Sequence, residues 1–545
     1  MENKLQDPQE PQATASASAQ PTRRRGGAAL VALGILCSRL AGLVRQRVFA
    51  HYFGQTSAAA DAFNAAFRIP NLLQNLFGEG ALSGSFIPVY AASVARGETR
   101  HAVHVAGAVA ALIGLVTSIL VLSGILAAPL LVALIAPGFT GQARELTIVL
   151  VRILFPGAGL LVLSAWCLGI LNSHHRFLLS YAAPVMWNAA MIATLLAFGP
   201  GTPLPALAVY LAWGSVAGSA LQFAVQVPAV MKLVPGLRLT LRAASPDVRT
   251  VMRNFGPVTI SRGVVQISAY VDTLIASKVA QGAVSALANA QLIYTLPVSL
   301  FGMSVSAAQL PAMSGDAVRD STTGSIVTTA LRDRLDAGLR QIAFFVIPSS
   351  MAFLALGDVI AAGLLQTGRF TYDDAMYVWA ILAGSATGLL ASTLGRLYAS
   401  SCYALRDTRT PLRFAGVRLS LSIVLGYVAA LVLPRALSID PKWGTAGLTV
   451  ASGIAGWVEF LLLRAAVRRR VGSLGVPLPL LAGLWLSAAV SAAAAWGVKL
   501  ALGQGHPLVV VSTVLPTYAI AYLGLTYVLG IGDVRGFMRR ALRRR

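Results

Sequence analysis

Charged residues are scarce in this chain. They make up 12% of its 545 residues, whereas hydrophobic residues make up 56%. Soluble proteins carry about 25% charged residues, because a folded soluble domain needs a polar surface. The composition therefore excludes an ordinary soluble protein. The apolar runs are about 20 residues or longer, enough to cross a bilayer, and they lack the alternation typical of barrel strands. We predict an all-α polytopic membrane protein.

Acidic residues are scarcer than basic ones. The chain has 20 Asp and Glu against 43 Lys and Arg, which gives a net charge of +23. Such an excess would suit a nucleic-acid partner, but the basic residues lie in short loops between apolar runs, where topology signals lie. We therefore expect no nucleic-acid partner and interpret the charge as a positive-inside bias.

Cysteine and the common catalytic motifs are also sparse. Cys37, Cys167 and Cys402 lie in apolar runs without CxxC spacing, so we interpret them as small buried hydrophobic residues. No HExxH, G-x-S-x-G, P-loop or dinucleotide motif occurs in a suitable context, and no metal site is expected. A glycan-polymerising enzyme would need an acidic residue in an outer loop. Only Asp373 and Asp374 qualify, and we interpret them as a helix start.

The apolar runs predict fourteen spans. Most of the arginines and lysines lie in the connections that follow even-numbered spans and at the two ends of the chain. The positive-inside rule therefore places both termini in the cytoplasm and requires an even number of spans. The predicted spans start near Ala28, Ala60, His101, Gln142, Leu178, Pro205, Arg249, Val284, Ser325, Asp373, Pro411, Trp443, Pro477 and Pro507.

An internal repeat divides these spans. Ser38-Arg39 in the first span recurs as Ser261-Arg262 in the seventh, 223 positions further on. An even number of spans separates the copies, so both have the same orientation, which predicts two six-helix lobes related by an axis along the membrane normal. The predicted division is a disordered cytoplasmic tail (1–27), an N-lobe (28–235), a C-lobe (236–470), two further helices (471–532) and a basic cytoplasmic tail (533–545).

Two glycine pairs lie within the predicted spans. They are Gly214 with Gly218 and Gly384 with Gly388. Because small residues at this spacing let helices approach closely, we predict tight helix packing at both pairs.

Arginines inside the spans are the strongest indication of function. Arg39, Arg45 and Arg47 lie in the first span and Arg262 in the seventh. An arginine in a span costs at least about 2.5–3.5 kcal/mol on insertion scales, so it normally faces protein or a wet cavity. Arg47 is nearest the outer end and is expected to snorkel. The others predict a cationic chamber for an anion such as a phosphate.

Acidic residues and prolines nearby leave an alternative open. Each arginine could instead be a tether to backbone carbonyls, Asp61 or Glu79. Asp61 could pair with an arginine or cap a helix start. Two glycines flank Glu79 and loosen the helix, and Pro70 and Pro88 predict kinks. Asp272 is a candidate cation ligand or proton carrier.

A run of short motifs lies between Ser38 and Tyr90. The segments are Ser38–Gly42, Arg45, Ala60–Phe63, Phe67–Leu73, Phe77–Ser83 and Phe86–Val89, with weaker ones at Gly256-Pro257, Leu296–Pro311, Thr367–Phe370 and Tyr403–Pro411. In these motifs the chain resembles the bacterial lipid II flippases of the MurJ (MviN) family. The resemblance implies that Arg39 and Arg45 engage the diphosphate of the substrate, and that Ser38 and Arg68 are further cavity or gating candidates.

The resemblance implies a two-lobed member of the multidrug/oligosaccharidyl-lipid/polysaccharide exporter superfamily. Such a transporter moves undecaprenyl-diphosphate-linked peptidoglycan precursor to the outer leaflet of the bacterial cytoplasmic membrane by alternating access. It implies no covalent chemistry, a groove for the prenyl tail between the last two helices, and coupling to membrane potential or to a cation of unknown identity. We expect no other cofactor, a functional monomer, and cell-wall synthesis enzymes as candidate partners.

The chain departs from the family at four positions. Gln74 and Asn75 stand where the family usually has arginines, and Gln291 and Leu292 stand where it commonly has an acidic residue and an arginine. We hypothesise that Arg262 substitutes for one of these charges. The departures leave open a flippase for another polyprenyl-diphosphate-linked oligosaccharide. A cation-coupled drug exporter is disfavoured, because a cationic chamber repels cationic drugs.

Overall fold

The regular secondary structure of the chain is helical. The computed structural model describes residues 22–240, 246–303, 327–405, 407–472, 475–503 and 505–531, together with 305, 306 and 313. Within these residues, extended pairing is limited to an isolated antiparallel bridge between Thr367 and Phe370. The predicted all-α class is confirmed.

Seventeen main helices cover the described residues. The first eight are α1 Thr22–Phe53, α2 Ala58–Phe77, α3 Glu79–Ala95, α4 Thr99–Leu126, α5 Ala128–Ile135, α6 Gly141–Ser173, α7 Phe177–Phe198 and α8 Leu204–Leu233. The others are α9 Pro246–Ser277, α10 Ala283–Pro297, α11 Val327–Ala355, α12 Gly357–Leu365, α13 Tyr372–Ala404, α14 Arg409–Tyr427, α15 Gly444–Val471, α16 Leu478–Leu502 and α17 Pro507–Val528. A π-helical segment, Val298–Met303, extends α10, and Val428–Val432 and Leu433–Ala436 extend α14.

Eleven of the described helices are long and apolar enough to cross a membrane. The other three predicted spans correspond to α1, to α2 with α3, and to α9. These helices carry the polar residues that line the central cavity described below, which lowers their hydropathy. A total of fourteen spans therefore remains a prediction, while the multi-pass architecture is shown.

The buried apolar residues form two clusters. The first extends from Phe49 to Phe255 and takes in the cores of α2 to α8. The second extends from Ile275 to Tyr522 and also includes a few small residues of the first half, such as Ala65. Helix α9 contributes to both, since Phe255 belongs to the first cluster and Ile275 to the second. The predicted lobe boundary at 235/236 lies just before this shared helix and stays a prediction.

Both glycine pairs lie at close helix contacts, as predicted. A Cβ atom at Gly214 or Gly218 would collide with Thr194 or the backbone of Trp187 on α7. A Cβ at Gly388 would collide with Gly453 on α15. These positions need glycine because the facing helix leaves no room for a side chain.

The last two helices pack together and against α11 and α12. Tyr518 and Tyr522 of α17 donate hydrogen bonds to carbonyls of Pro348 and Phe344 on α11, each at 2.8 Å. The interaction satisfies carbonyls near Pro348, where a proline interrupts the helical hydrogen bonding. The pair is thus fixed to the second half of the chain by polar contacts as well as by apolar packing.

The helix start predicted at Asp373 and Asp374 is confirmed. Thr371 is the N-cap of α13, and its hydroxyl accepts a hydrogen bond from the Asp374 backbone N–H at 3.3 Å. The Asp374 carboxylate accepts one from the Thr371 N–H at 2.8 Å. This reciprocal capping box gives Asp374 a structural role.

Two expectations need correction. Cys37 is exposed, unlike the buried Cys167 and Cys402, because it lies on the same face of α1 as the exposed Leu36 and Leu40. The tail predicted over residues 1–27 is too long, since α1 begins at Thr22; arginine and alanine favour helix in this segment. Residues 1–21 of that tail and the basic tail over 533–545 lie outside the described residues.

Candidate functional site

A cavity of about 430 Å³ lies between the two halves of the molecule. We call it the central cavity. Helices α1 and α2 form one wall, and α9 and α10 form the other. Its lining residues are Arg39, Gly42, Leu43, Arg45, Gln46, Asn64, Phe67, Arg68, Asn71, Asn75, Tyr270, Ala288, Gln291, Leu292, Thr295 and Leu296. Among the described lining residues, three are arginines and none is a carboxylate, so this wall of the cavity is cationic.

The structure brings Arg39 and Arg45 to the same cavity, as the sequence predicted. Arg45 lies with its guanidinium carbon 4.9 Å from the centre of the Trp187 ring, and Nη1 is 3.9 Å from the Met191 sulfur. These are soft contacts that orient the guanidinium without neutralising its charge. Arg39 is exposed along the cavity wall. Ser38 is partly buried and is not among the lining residues.

Arg68 links the two walls. Its guanidinium donates to Thr273 Oγ1 on α9 at 2.5 Å and to Gln291 Oε1 on α10 at 2.6 Å. Its backbone carbonyl accepts a hydrogen bond from the Tyr270 hydroxyl at 3.0 Å. Arg68 also interacts electrostatically with Asp272. The sequence placed Arg68 in the cavity only through the family motif; the structure shows that it also holds α2 against α9 and α10.

Asp61 closes the predicted outer end of the central cavity. Its carboxylate accepts hydrogen bonds from the backbone N–H groups of Gly282 at 2.6 Å and Ser285 at 2.8 Å. These groups form the N-terminus of α10, so Asp61 caps a helix of the opposite half. Its own helix is capped by Ser57. The predicted helix-start cap is therefore confirmed, at a helix of the opposite half, and the alternative of an arginine partner is wrong.

Neutral side chains reinforce this closure. Gln55 Nε2 donates to the Gly282 carbonyl at 2.9 Å and its Oε1 accepts from Asn289 at 2.7 Å. Gln46 donates to the same Asn289 at 2.7 Å. Gly282 has φ +87°, and a Cβ there would crowd Thr56. The connection between α9 and α10 can therefore approach the end of α1 because it carries glycine at this turn.

Arg47 also belongs to the closure. It donates from Nη1 to the carbonyls of Gly363 at 2.8 Å and Leu364 at 3.1 Å, at the C-terminus of α12. A guanidinium at a helix C-terminus satisfies unpaired carbonyls and complements the helix dipole. The expectation that Arg47 snorkels to the membrane surface is wrong, because protein carbonyls lie within its reach. Among these arginines, the tether alternative applies to Arg47.

Helix α2 is interrupted where two glycines flank Glu79. Gly78 lies between α2 and α3, and its N–H still bonds the Gln74 carbonyl at 2.8 Å. Pro70 is buried within α2 and Pro88 lies within α3, and both helices continue through them. The break is thus at Gly78 rather than at either proline. The side chains of Glu79 and Arg262 lie outside the described residues, so their predicted roles stay predictions.

The sequence interpretation missed a polar stripe on α2. Asn64, Arg68, Asn71 and Asn75 are spaced four, three and four residues apart and all line the central cavity. This spacing places them on one face of a helix, a signal that was available in the sequence but was carried mainly by uncharged asparagines. Asn75, Gln291 and Leu292, which stand where the family usually has charges, also line the cavity.

A second cavity of about 280 Å³ adjoins the first. It lies among α9, α10, α13, α14 and α15, and Gln291 and Thr295 line both cavities. Asp272 lines this second cavity rather than the central one. Among the described residues, no group of three or more metal-ligating side chains occurs.

Two packed halves of membrane-spanning helices around a shared cationic cavity define a membrane transporter. Residues 49–528 match the family model described as "Lipid II flippase MurJ". The "Probable lipid II flippase MurJ" of Rhizobium meliloti is 33% identical over 473 residues, covering 84% of each chain. The "Lipid II flippase MurJ" of Burkholderia cenocepacia is 33% identical over 442 residues, covering 80% of this chain and 82% of the relative.

Solved structures show the same fold. "Lipid II flippase MurJ, inward closed conformation" matches with a TM-score of 0.74 at 23% identity, covering 92% of this chain and 98% of the other. An inward-facing MATE transporter of the MOP superfamily matches with a TM-score of 0.62 at 17% identity, covering 79% and 95%. The chain belongs to the lipid II flippase MurJ family. It is a multi-pass inner-membrane transporter rather than an enzyme.

Proposed function

We propose that this chain moves lipid II, the undecaprenyl-diphosphate-linked peptidoglycan precursor, from the inner to the outer leaflet of the cytoplasmic membrane. The observation that carries this proposal is the central cavity, where Arg39, Arg45 and Arg68 face one space and no carboxylate stands among the described lining residues. Guanidinium groups bind phosphate oxygens through paired hydrogen bonds. A diphosphate is therefore the part of the substrate that this cavity suits best.

The contacts of Asp61 and Arg47 support alternating access as the transport cycle. Both side chains cross between the halves at the predicted outer end, where they hold helix termini of α10 and α12. Opening the outer side requires these bonds to break while the halves rock apart. In this cycle the diphosphate stays near the arginines, and the prenyl tail stays in lipid beside α16 and α17.

Further parts of the proposal concern orientation, energy and partners. Both termini lie in the cytoplasm, as the arginine-rich connections favour. The chain works as a monomer. Membrane potential or a cation gradient drives the cycle, with Asp272 of the second cavity as the candidate carrier. The lipid-linked substrate and the bilayer are its partners, with cell-wall synthesis enzymes as further candidates.

A flippase for another polyprenyl-diphosphate-linked oligosaccharide is the second candidate. It is favoured by Asn75, Gln291 and Leu292, which put uncharged side chains on the cavity wall where the family usually has charges. Both candidates use the same diphosphate chemistry and differ in the attached glycan.

Depletion of the chain in its host tests which candidate is right. The lipid-linked precursors on the cytoplasmic leaflet are extracted and quantified before and after depletion. We expect lipid II to accumulate. Accumulation of a different polyprenyl-linked glycan, with lipid II unchanged, would overturn the first proposal in favour of the second. Re-expression of the chain at its normal level is the control and restores the initial lipid composition.

A further inference from the structure

The three arginines that line the central cavity are held in three different ways. Arg68 donates hydrogen bonds to side chains of α9 and α10, so part of its guanidinium is already engaged. Arg39 is exposed along the cavity wall. Arg45 lies against Trp187 and Met191 of α7, and neither of these side chains carries a negative charge. The surroundings of Arg45 therefore leave its charge and most of its N–H donors for a ligand.

The contact with the Trp187 ring is suited to this purpose. The guanidinium carbon of Arg45 lies 4.9 Å from the ring centre, within the range of about 6 Å over which an aromatic face attracts a cation. Tryptophan is the side chain that attracts a cation best in this way. A ring does not cancel the positive charge as a carboxylate would. The contact can therefore persist while the N–H groups bind phosphate oxygens.

Neighbouring helices fix the Trp187 ring in turn. Its Nε1 donates a hydrogen bond to Ser215 Oγ on α8 at 3.2 Å. The ring of Phe67 on α2 stacks on it, with the ring centres 5.7 Å apart and the planes tilted by 25°. Gly218 on α8 leaves room for the indole, since a Cβ at that position would lie 3.0 Å from Trp187 Cδ1. The ring is thus a fixed platform behind the cavity wall.

We propose that Trp187 is a positioning residue of the diphosphate site, whose indole face holds the Arg45 guanidinium charged and ordered at the wall of the central cavity. The inference rests on the proposed function, in which Arg45 binds the diphosphate. Trp187 is not among the described lining residues, so it acts on the substrate through Arg45. Because the long arginine side chain is ordered before the substrate arrives, less conformational entropy is lost on binding.

Fluorinated tryptophan at position 187 gives the sharpest test. Fluorine withdraws electron density from the indole face and nearly preserves the shape of the ring, so it weakens the attraction for a cation with little change in packing. Mono-, di- and trifluorinated tryptophan are incorporated there in the full chain, and the affinity for undecaprenyl diphosphate is measured in lipid nanodiscs. We expect the affinity to fall with each added fluorine. Binding of undecaprenol, which has the same tail without the diphosphate, stays unchanged.

A double-mutant cycle shows whether Trp187 acts through Arg45. Trp187→Leu removes the ring and should weaken binding of undecaprenyl diphosphate about 2- to 30-fold, which corresponds to a cation–π contact of about 0.5–2 kcal/mol. In a chain that carries Arg45→Ala, the same substitution should have no further effect, because the guanidinium is gone. Trp213→Leu is the matched control. Trp213 is exposed on α8 and lies outside both cavities, so we expect wild-type affinity.

The outcomes separate this inference from the proposed function. Equal losses from Trp187→Leu with and without Arg45 would overturn the inference, since Trp187 would then act by packing alone. An affinity that stays constant or rises along the fluorine series would also overturn it, and the series decides if Trp187→Leu does not fold. These results leave the flippase proposal intact. If the wild-type chain bound undecaprenyl diphosphate no better than undecaprenol, the proposed function would fail and the inference with it.

Discussion

The cap that Asp61 places on α10 sets how firmly the predicted outer side is closed. Its two carboxylate oxygens accept backbone N–H bonds of 2.6 and 2.8 Å from the opposite half. In Asp61→Asn, the amide oxygen keeps one of these bonds, while the amide NH₂ faces the other N–H and loses it. A hydrogen bond to a charged group contributes about 1.5–3 kcal/mol, and a charge at a helix N-terminus adds about 0.3–1 kcal/mol.

Together these losses come to about 2–4 kcal/mol, which corresponds to a shift of roughly 30- to 900-fold toward the state with an open outer side. The shift is measurable by spin–spin distance distributions. Labels at Thr202→Cys and Ile439→Cys, in connections of the two halves at the predicted outer side, report the separation after Cys37, Cys167 and Cys402 are replaced by serine. We expect the long-distance population to grow in Asp61→Asn.

Asp373→Asn is the matched control for this measurement. Asp373 is exposed in the first turn of α13 at the same predicted side, so its replacement changes one charge without touching the contact between the halves. We expect its distance distribution to equal that of the wild type. An unchanged distribution in Asp61→Asn would refute the reasoning, since it would mean that the carboxylate charge does not hold the halves together.

Three further outcomes follow from the structure. Gly78→Ala should destabilise the chain by about 1–3 kcal/mol, because a Cβ there collides with a backbone carbonyl of α2; an unchanged Tm in detergent would contradict this. Lys499→Met should lower Tm by breaking the 2.5 Å pair with buried Asp358, which costs about 3–5 kcal/mol, and Asp358→Leu in the same chain should recover part of the loss. Hydrogen bonds from Thr410 hold the pKa of Asp407 below its usual range, so its stabilisation is present above about pH 4 and is lost as the pH falls. Between pH 5 and pH 3, Asp407→Asn should therefore show a flatter Tm profile than the wild type, and an identical slope would count against this assignment.

The intramembrane arginines show what could be predicted from the sequence. Arg39 and Arg45 could be assigned to a cavity because arginine in a span is costly unless it faces protein or water. The partners of Arg47 could not be foreseen, since the carbonyl of Gly363 lies 316 positions further along the chain. Local patterns carry no information on such a distant contact. The same applies to Asp61, whose partners belong to the other half.

Uncharged residues that line the cavities are a second group that could not be assigned from the sequence. The stripe of Asn64, Asn71 and Asn75 was readable from its helical spacing, yet neutral amides also occur on many packed helix faces. The second cavity could not be predicted at all, because its walls come from five separate helices. Within the sequence, Ser385 and Thr449 are indistinguishable from the many serines and threonines that satisfy carbonyls of their own helices.

The central claim is that the cationic cavity carries the diphosphate of lipid II across the membrane. It is tested most directly by measuring how much lipid II reaches the outer leaflet in cells where Arg45→Ala replaces the wild-type chain at matched expression. Arg144→Ala, at an exposed position near the start of α6, is the control. We expect Arg45→Ala to leave lipid II on the cytoplasmic leaflet while Arg144→Ala supports normal exposure. Normal outer-leaflet exposure with Arg45→Ala would contradict the claim.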